Sequence, residues 1–506
     1  MSALADAIAR SFSVPEPARP AVSALRALGR RRLSGLEVLA QSVGTTGCAA
    51  SMVVLPTVLL HYGTPLSSVL TLLGAVLMCY LIAVGITQFT RRQAAAGGIY
   101  SFVFQGLGTR AALTSGVALL VKYLGSAAST LYSGGQALIL VLGAVGIQVT
   151  GVLGTLALYA AVAVAVLAVL VRGVRFAALV MLAVEACSLL FIVVLTVWPG
   201  APAGPVPPPG SAPHGVLHIA LAAIFSLAGF ESATFFGPEA KKPLLSVTRT
   251  VLLTPLICGG LFLFATWAAW TGRSTTILDA AAHGTGSGAP TALVLALNIG
   301  LACSWLTSAT ASSHAASRLV YSMGVERLLP RFCVAVHPRF RTPYLALLAI
   351  VALVAVAGTA LAVGLAPARV QLVQVVRAMV VTAYVLVAVA SVRFLYRIRE
   401  QTLGVLAAGS VAGLAGVLLL GALVVVERLE ADHPVSAIIV GLLAAGVLWR
   451  FLLRLRRPAT LRGIGVFDAA ESADVLPGAG VFAPDANGDL VLVGRPRGGP
   501  AQRRAG

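Results

Sequence analysis

Residues 217–243 read LHIALAAIFSLAGFESATFFGPEAKKP. The run is apolar enough to enter hydrocarbon, yet it carries Gly229 where a helix needs none, and then Glu231. A charged side chain at a bilayer centre costs roughly 2.5–3.5 kcal/mol even by insertion scales. A second stretch is interrupted in the same way: residues 34–56, SGLEVLAQSVGTTGCAASMVVLP, place Gly44, Thr45, Thr46 and Gly47 inside another apolar run. A spanning helix broken at such a point leaves backbone N–H groups free. It also turns the positive end of a half-helix dipole toward the midplane, where it holds a substrate carboxylate without a charged side chain. Taken alone, either stretch favours the plainer use of small residues in membranes, close helix packing.

Outward from these two stretches, the whole composition points to the bilayer. Of 506 residues, 58% are hydrophobic and only 10% are charged, where a soluble chain carries charge on about a quarter of its positions. A soluble protein is therefore excluded. Spanning ~30 Å of hydrocarbon takes about 20 apolar residues in a helix, and that length fits twelve times. The spans are expected near 34–60, 66–89, 111–144, 151–171, 176–198, 216–236, 249–271, 289–313, 343–364, 371–394, 402–426 and 434–456.

Lysine and arginine are retained on the cytoplasmic side of a membrane. With the N-terminus inside, 31 of the 36 Lys and Arg residues fall on that side, Arg273, Arg369 and Arg428 fall outside, and Lys122 and Arg377 fall within spans. Both termini are thus expected in the cytoplasm. The net charge of +19 is a topology signal rather than a nucleic-acid surface, and no nucleic-acid partner is expected. Residues 1–33 contain six arginines but no apolar core for a signal peptide, and form an expected cytoplasmic tail. Residues 458–506 turn polar and Gly/Pro-rich, which predicts a largely disordered tail with a short strand pair around VFAPDANGDLVLVG. The six cysteines fall singly, with no CxxC spacing, so neither a disulfide framework nor a metal site is expected.

Three segments carry a resemblance. FSLAGFESATFFGPEAKKP, with its Gly-Phe-Glu and Glu-Ala-Lys-Lys-Pro, resembles the sixth helix and following loop of amino acid permeases of the amino acid, polyamine and organocation (APC) superfamily. HAASRLVYSMGVERLLPRFCVAVHPRFRTP resembles the loop after that family's eighth helix, and RRQAAAGGIYSFVFQGLG the loop after its second. The resemblance implies the leucine-transporter-type fold: an all-α polytopic protein with two inverted repeats of five helices, here about 34–198 and 216–394, and two extra helices at about 402–456. It implies a substrate site in which Gly44, Thr45, Thr46 and Gly47 hold the carboxylate, Ser226, Ala228 and Gly229 offer backbone groups to the amino end, and Phe230 forms an aromatic lid. Glu231 would belong to the gate. The family's commonest first-helix pattern is Gly-x-Gly before a bulky apolar residue, and GTTGCAA departs from it.

The remaining informative residues are charges inside the spans. Lys122 and Glu185 each lie about ten residues into their spans, which at ~1.5 Å per residue puts both ~15 Å deep and allows them to pair. Several family members carry a lysine in the fifth helix in place of a coupling sodium, and Glu185 is a charge reversal at the nearest matching position. The expectation is that Glu185, alone or through Lys122, carries the coupling proton; the alternative is a static pair holding two helices in register. Arg377 is either an outer-gate cation or a side chain snorkelling to the interface. His314 and His337 flank a basic loop, where contact with anionic membrane lipid is expected.

No nucleophile motif and no Walker-type GxxxxGK[ST] occurs, so neither an enzyme nor an ATP-driven pump is expected, and no cofactor. The expected function is a secondary active transporter in the plasma membrane, moving an amino acid or related amine by alternating access with protons as coupling ion. An exchanger or facilitator of the same fold, and a transporter-like sensor without flux, remain alternatives.

Overall fold

The structure, a computed structural model, describes residues 28, 32–197, 214–430, 435–462, 464–465, 481–484 and 490–493. Expectations for the N-terminal tail and most of the C-terminal tail lie outside the described residues. Among the described residues, twelve helices are long and apolar enough to cross a membrane. They are α1 Gly35–Tyr62, α2 Pro65–Thr90, α3 Thr109–Ala144, α4 Gly151–Val171, α5 Val174–Val197, α6 Gly215–Glu239, α7 Pro243–Trp270, α8 Thr291–Val325, α9 Tyr344–Val363, α10 Ala368–Ile398, α11 Leu403–Arg428 and α12 Val435–Arg456. The membrane-spanning part is all-helical, and the chain is a multi-pass membrane protein. A short antiparallel pairing of β1, Val481–Pro484, with β2, Leu490–Val493, lies in the C-terminal region.

The helix starts follow local chemistry. Ser34 caps α1 in a reciprocal capping box with Glu37, and Thr64 caps α2 in the same way with Ser67; each satisfies backbone donors that a first turn leaves open. Pro65 and Pro243 sit in first turns, where no N–H is missed. Several polar residues within the spans are self-satisfied: the hydroxyls of Thr130, Ser188, Thr254, Thr266 and Thr382 donate to carbonyls one turn earlier. Hydrocarbon offers no other partner, so this local bond is what admits a hydroxyl to a span.

The two interrupted helices form the centre. In their most apolar stretches α1 is 78% and α6 83% buried inside the protein, against 17% for α4 and α12, so the latter two stand at the periphery. The long α3 runs against α8, α9, α10 and α12, while α5 and α8 flank the first half of α1, and α7 packs against both α1 and α2. Peripheral helices present large apolar side chains such as Leu153, Val356 and Leu418 outward, as lipid contact requires. One boundary differs in substance from the expected spans. α8 continues to Val325, more than three turns beyond residue 313, because Ser312, Ser313, His314, Ser317 and Arg318 are all buried there rather than placed in a loop.

Candidate functional site

The first break is a single residue. α1 runs as Gly35–Thr46, Gly47 takes a left-handed conformation (φ 56°), and a second half follows as Cys48–Tyr62. Thr45 and Thr46, expected in an unwound turn, thus end the first half-helix. The second break is longer. α6 is helical over Gly215–Leu227, Ala228 is extended, Gly229 has φ 141°, and a tighter 3-10 segment covers Phe230–Glu239. The breaks touch each other: a Cβ at Gly229 would sit 3.0 Å from both Thr45 Cβ and the Thr46 nitrogen. Only glycine fits both that φ and that approach.

Hydroxyls stitch the breaks together. Thr45 Oγ1 donates to the Gln41 carbonyl at 2.6 Å and lies 3.0 Å from Ser232 Oγ, and Ser42 Oγ donates to the Phe230 carbonyl at 3.1 Å. From α8, Ser308 Oγ donates to the Thr45 carbonyl at 2.9 Å.

Glu185 occupies the positive end of the second half of α1. Its Oε1 accepts from the Ala49 N–H at 2.9 Å and from Ser304 Oγ at 3.1 Å, while the Ala50 N–H donates to Ser304 Oγ at 3.1 Å. A carboxylate belongs there by the helix dipole and the free N–H groups. Its Oε2, fully buried, has no hydrogen-bond partner.

The expected pairing of Lys122 with Glu185 does not form. Lys122 Nζ donates instead to Glu231 Oε1 at 2.7 Å, with both side chains buried. Tyr123 donates to the same oxygen at 2.8 Å, and Tyr384 and the Gly229 N–H donate to Oε2 at 2.8 and 2.9 Å. Four donors from α3, α6 and α10 therefore satisfy one carboxylate, which ties α3 and α10 to the break in α6. Equal depth was one coordinate; the facing of the helices was the other.

A cavity of about 150 Å³ adjoins the breaks. Thr45, Thr46, Ser226 and Ala228 line it, and so does Arg377; Gly44, Gly47, Gly229, Phe230 and Glu231 do not. Gly44 instead faces Thr307, where a Cβ would meet Thr307 Cγ2 at 3.2 Å, which is the helix-packing use of a small residue. Phe230 is fully buried and packs against Tyr384 in a tilted arrangement with 5.4 Å between ring centroids. The wall also includes Ser126, Ser129, Thr130 and Ser133 of α3, Trp305 and Ser308 of α8, and Arg369. None of these was singled out from the sequence for the site, although hydroxyls at 126, 129, 130 and 133 recur at helical spacing and mark one face of α3. The lining reaches Val58 near the end of α1 and Arg369 in the first turn of α10, so the cavity extends from the breaks toward that end of the bundle.

The opposite end is sealed by polar contacts. Arg318 forms a two-pronged ion pair with Glu239, Nε to Oε1 at 2.6 Å and Nη2 to Oε2 at 3.3 Å, both side chains buried. The N–H groups of Arg32 and Leu33 donate to the Glu239 carbonyl, and the Lys241 N–H to the Leu33 carbonyl. Arg175 pairs with Glu37 at 2.9 Å, and Gln41 Nε2 donates to the Ala311 carbonyl at 2.8 Å. His314 belongs to this seal, not to a lipid-facing loop: it is buried, its Nδ1 3.2 Å from Gln41 Oε1 and its ring tilted against Phe236 with 4.6 Å between centroids. Among the described residues no cluster of side chains is suited to hold a metal ion.

The profile of the amino acid permease family matches residues 33–444. An uncharacterized transporter of Rhizobium meliloti (strain 1021) is 32% identical over 190 residues, which cover 34% of this chain and 39% of that protein. The chain therefore aligns with about two fifths of the curated relative it matches.

Proposed function

Since the chain belongs to the amino acid permease family, we propose that it is a secondary transporter carrying an amino acid or related amine through the plasma membrane by alternating access. Family membership points to a transporter rather than an enzyme. The observation that carries the proposal is the pairing of two helix breaks beside a hydroxyl-lined cavity extending to one end of the bundle, while a buried ion pair and main-chain bonds close the other. A single site, reached from alternate sides, is what alternating access requires. By the distribution of Lys and Arg the sealed end is cytoplasmic, so this conformation faces outward. The breaks fall in the first and sixth helices, the spacing that two five-helix repeats would give.

Thr45, Thr46, Ser226 and Ala228 contact substrate in this reading; Gly47 and Gly229 make the breaks, and Gly44 allows the helices to approach. Phe230 and Glu231 lie behind the cavity and act as parts of the gate, since Glu231 holds three helices together at the break. Arg377 stands on the outward path. We assign proton coupling to Glu185 alone. Glu37, Glu231 and Glu239 each meet a cation, whereas Glu185 meets none among the described residues and keeps a bare buried oxygen. Lys122 is committed to Glu231 and serves the gate.

The test is uptake of radiolabelled amino acids and amines by proteoliposomes under an inward proton gradient, a sodium gradient or neither. Accumulation that follows the proton gradient is the expected result. Counterflow indifferent to any gradient would replace symport with exchange or facilitation, and saturable binding without flux would leave a sensor.

A further inference from the structure

The cavity wall is charged on one side only. Arg369 and Arg377 both line it, with Val373 between them, and no Asp or Glu does. The three positions recur every four residues and so share one face of α10. Eight residues at ~1.5 Å each set their backbone positions roughly 12 Å apart along the axis, Arg369 in the first turn of α10 and Arg377 two turns further in.

Each arginine is incompletely used. Arg369 Nη2 donates to Ser133 Oγ at 3.1 Å, and Arg377 Nη1 donates to Gln374 Oε1 at 3.2 Å. The Nε atoms of both are buried without a hydrogen-bond partner. Their rings of contact are aromatic: Arg369 lies over Tyr132 and Arg377 over Phe225. The groups acting electrostatically on Arg377 from packed elements are Tyr62 and Glu427, and on Arg369, Tyr132 and Tyr159. Apart from the two arginines, the wall's polar side chains are hydroxyls and the Trp305 indole, which add no charge. The half-helix end at Cys48, the other positive feature, already holds the Glu185 carboxylate.

We propose that the transported substrate is a small organic anion, an amino acid with an acidic side chain in the first instance. The inference rests on the transporter reading above and names its substrate class. With Glu427 acting on Arg377, a zwitterion, which brings one carboxylate and one ammonium, leaves one positive charge of the wall uncompensated. A second carboxylate restores the balance, and guanidinium forks bind carboxylates in charge-assisted pairs of high selectivity. Lysine, arginine or a polyamine would add like charge to that wall. Size agrees: a cavity of about 150 Å³ is one that accepts a ring the size of benzene in a protein interior, not a peptide.

The test compares near-isosteres in the intact, purified chain. Binding of radiolabelled L-glutamate is measured by scintillation proximity, with L-aspartate, glutarate, L-glutamine, L-leucine and L-lysine as competitors, alongside counterflow of each in proteoliposomes. Glutamate is expected to bind at least roughly tenfold tighter than glutamine, as one charge-assisted pair provides. Arg377→Gln should erase that preference by weakening glutamate and sparing glutamine, while Arg377→Lys retains part of it. The glutamate-to-glutamine comparison in the unmodified protein stands even if both variants fold poorly. Competition by glutarate equal to that of glutamate would support recognition through two acid groups. If glutamine, leucine or lysine is bound and carried as well as glutamate, the anion proposal falls and the transporter reading stands; if nothing in the panel is bound or carried, both fall.

Discussion

Two buried glutamates in the spans are treated by this protein in opposite ways, and the contrast underlies the roles proposed for them. Glu231 accepts four hydrogen bonds, one from Lys122 at 2.7 Å; Glu185 accepts from a backbone N–H and a hydroxyl and meets no cation. Removing one partner of a buried ion pair leaves the other uncompensated, at a cost of about 3–5 kcal/mol. Lys122→Met is therefore expected to lower the stability of the folded bundle by about 3 kcal/mol or more. Adding Glu231→Gln should recover much of the loss, as read in detergent-denaturant unfolding of both variants. Glu185→Gln is expected to keep the fold and substrate exchange. It should abolish accumulation driven by an inward proton gradient, measured as the ratio of gradient-driven uptake to counterflow; unchanged accumulation would remove Glu185 from the coupling role. All three side chains were visible in the sequence as charges within apolar runs. Their partners were not, because hydropathy and depth say nothing of the direction in which a side chain leaves its helix.

At the scale of the element, the broken helices were legible and their exact form was not. Gly44, Thr45, Thr46 and Gly47 all lay in one candidate break, yet the helix turns only at Gly47. Thr45 and Thr46 stay helical, and their hydroxyls are satisfied by carbonyls of the preceding turn, at Gln41 and Val43. In α6 the break is carried by Gly229, whose φ of 141° lies outside the range other residues adopt and whose face abuts Thr45 and Thr46. Gly229→Ala should cost about 1–3 kcal/mol through strain of that kind and reduce uptake by roughly tenfold, since the added methyl group strains the backbone and crowds Thr45 and Thr46 where the two breaks meet. Gly260→Ala, in α7 where nothing lies within 4 Å of the added carbon, should leave both unchanged. Parallel uptake and unfolding measurements on the two variants check this. The hydroxyl face of α3 was also written in the chain, as a recurrence at 126, 129, 130 and 133, but a recurrence of small polar residues is shared by packing faces and cavity faces alike.

For the whole molecule, the closed end is an assembly of distant segments. Arg318 of α8, Glu239 at the end of α6 and the main chain at Arg32 and Leu33 converge there, and under the proposed alternating access the pair separates when the site opens to that side. Glu239→Gln is expected to weaken the seal without touching the cavity. Backbone amides of residues 230–240 should then exchange with deuterium faster by about tenfold, the equivalent of ~1.4 kcal/mol, while those of α4 and α12 keep their rates. No difference would mean that the main-chain bonds close this end by themselves. The number of spans, the membrane class, the family and the positions of both breaks follow from the sequence by itself, since each is set by local hydropathy, by glycine within an apolar run or by a linear motif. Tertiary structure alone decided that Lys122 meets Glu231, that Arg318 and His314 are buried in a seal, and that Arg369 joins Arg377 on a cavity wall. A helix that is apolar around its whole circumference carries no mark of its rotation, so the facing of each side chain is settled only when twelve helices pack against one another.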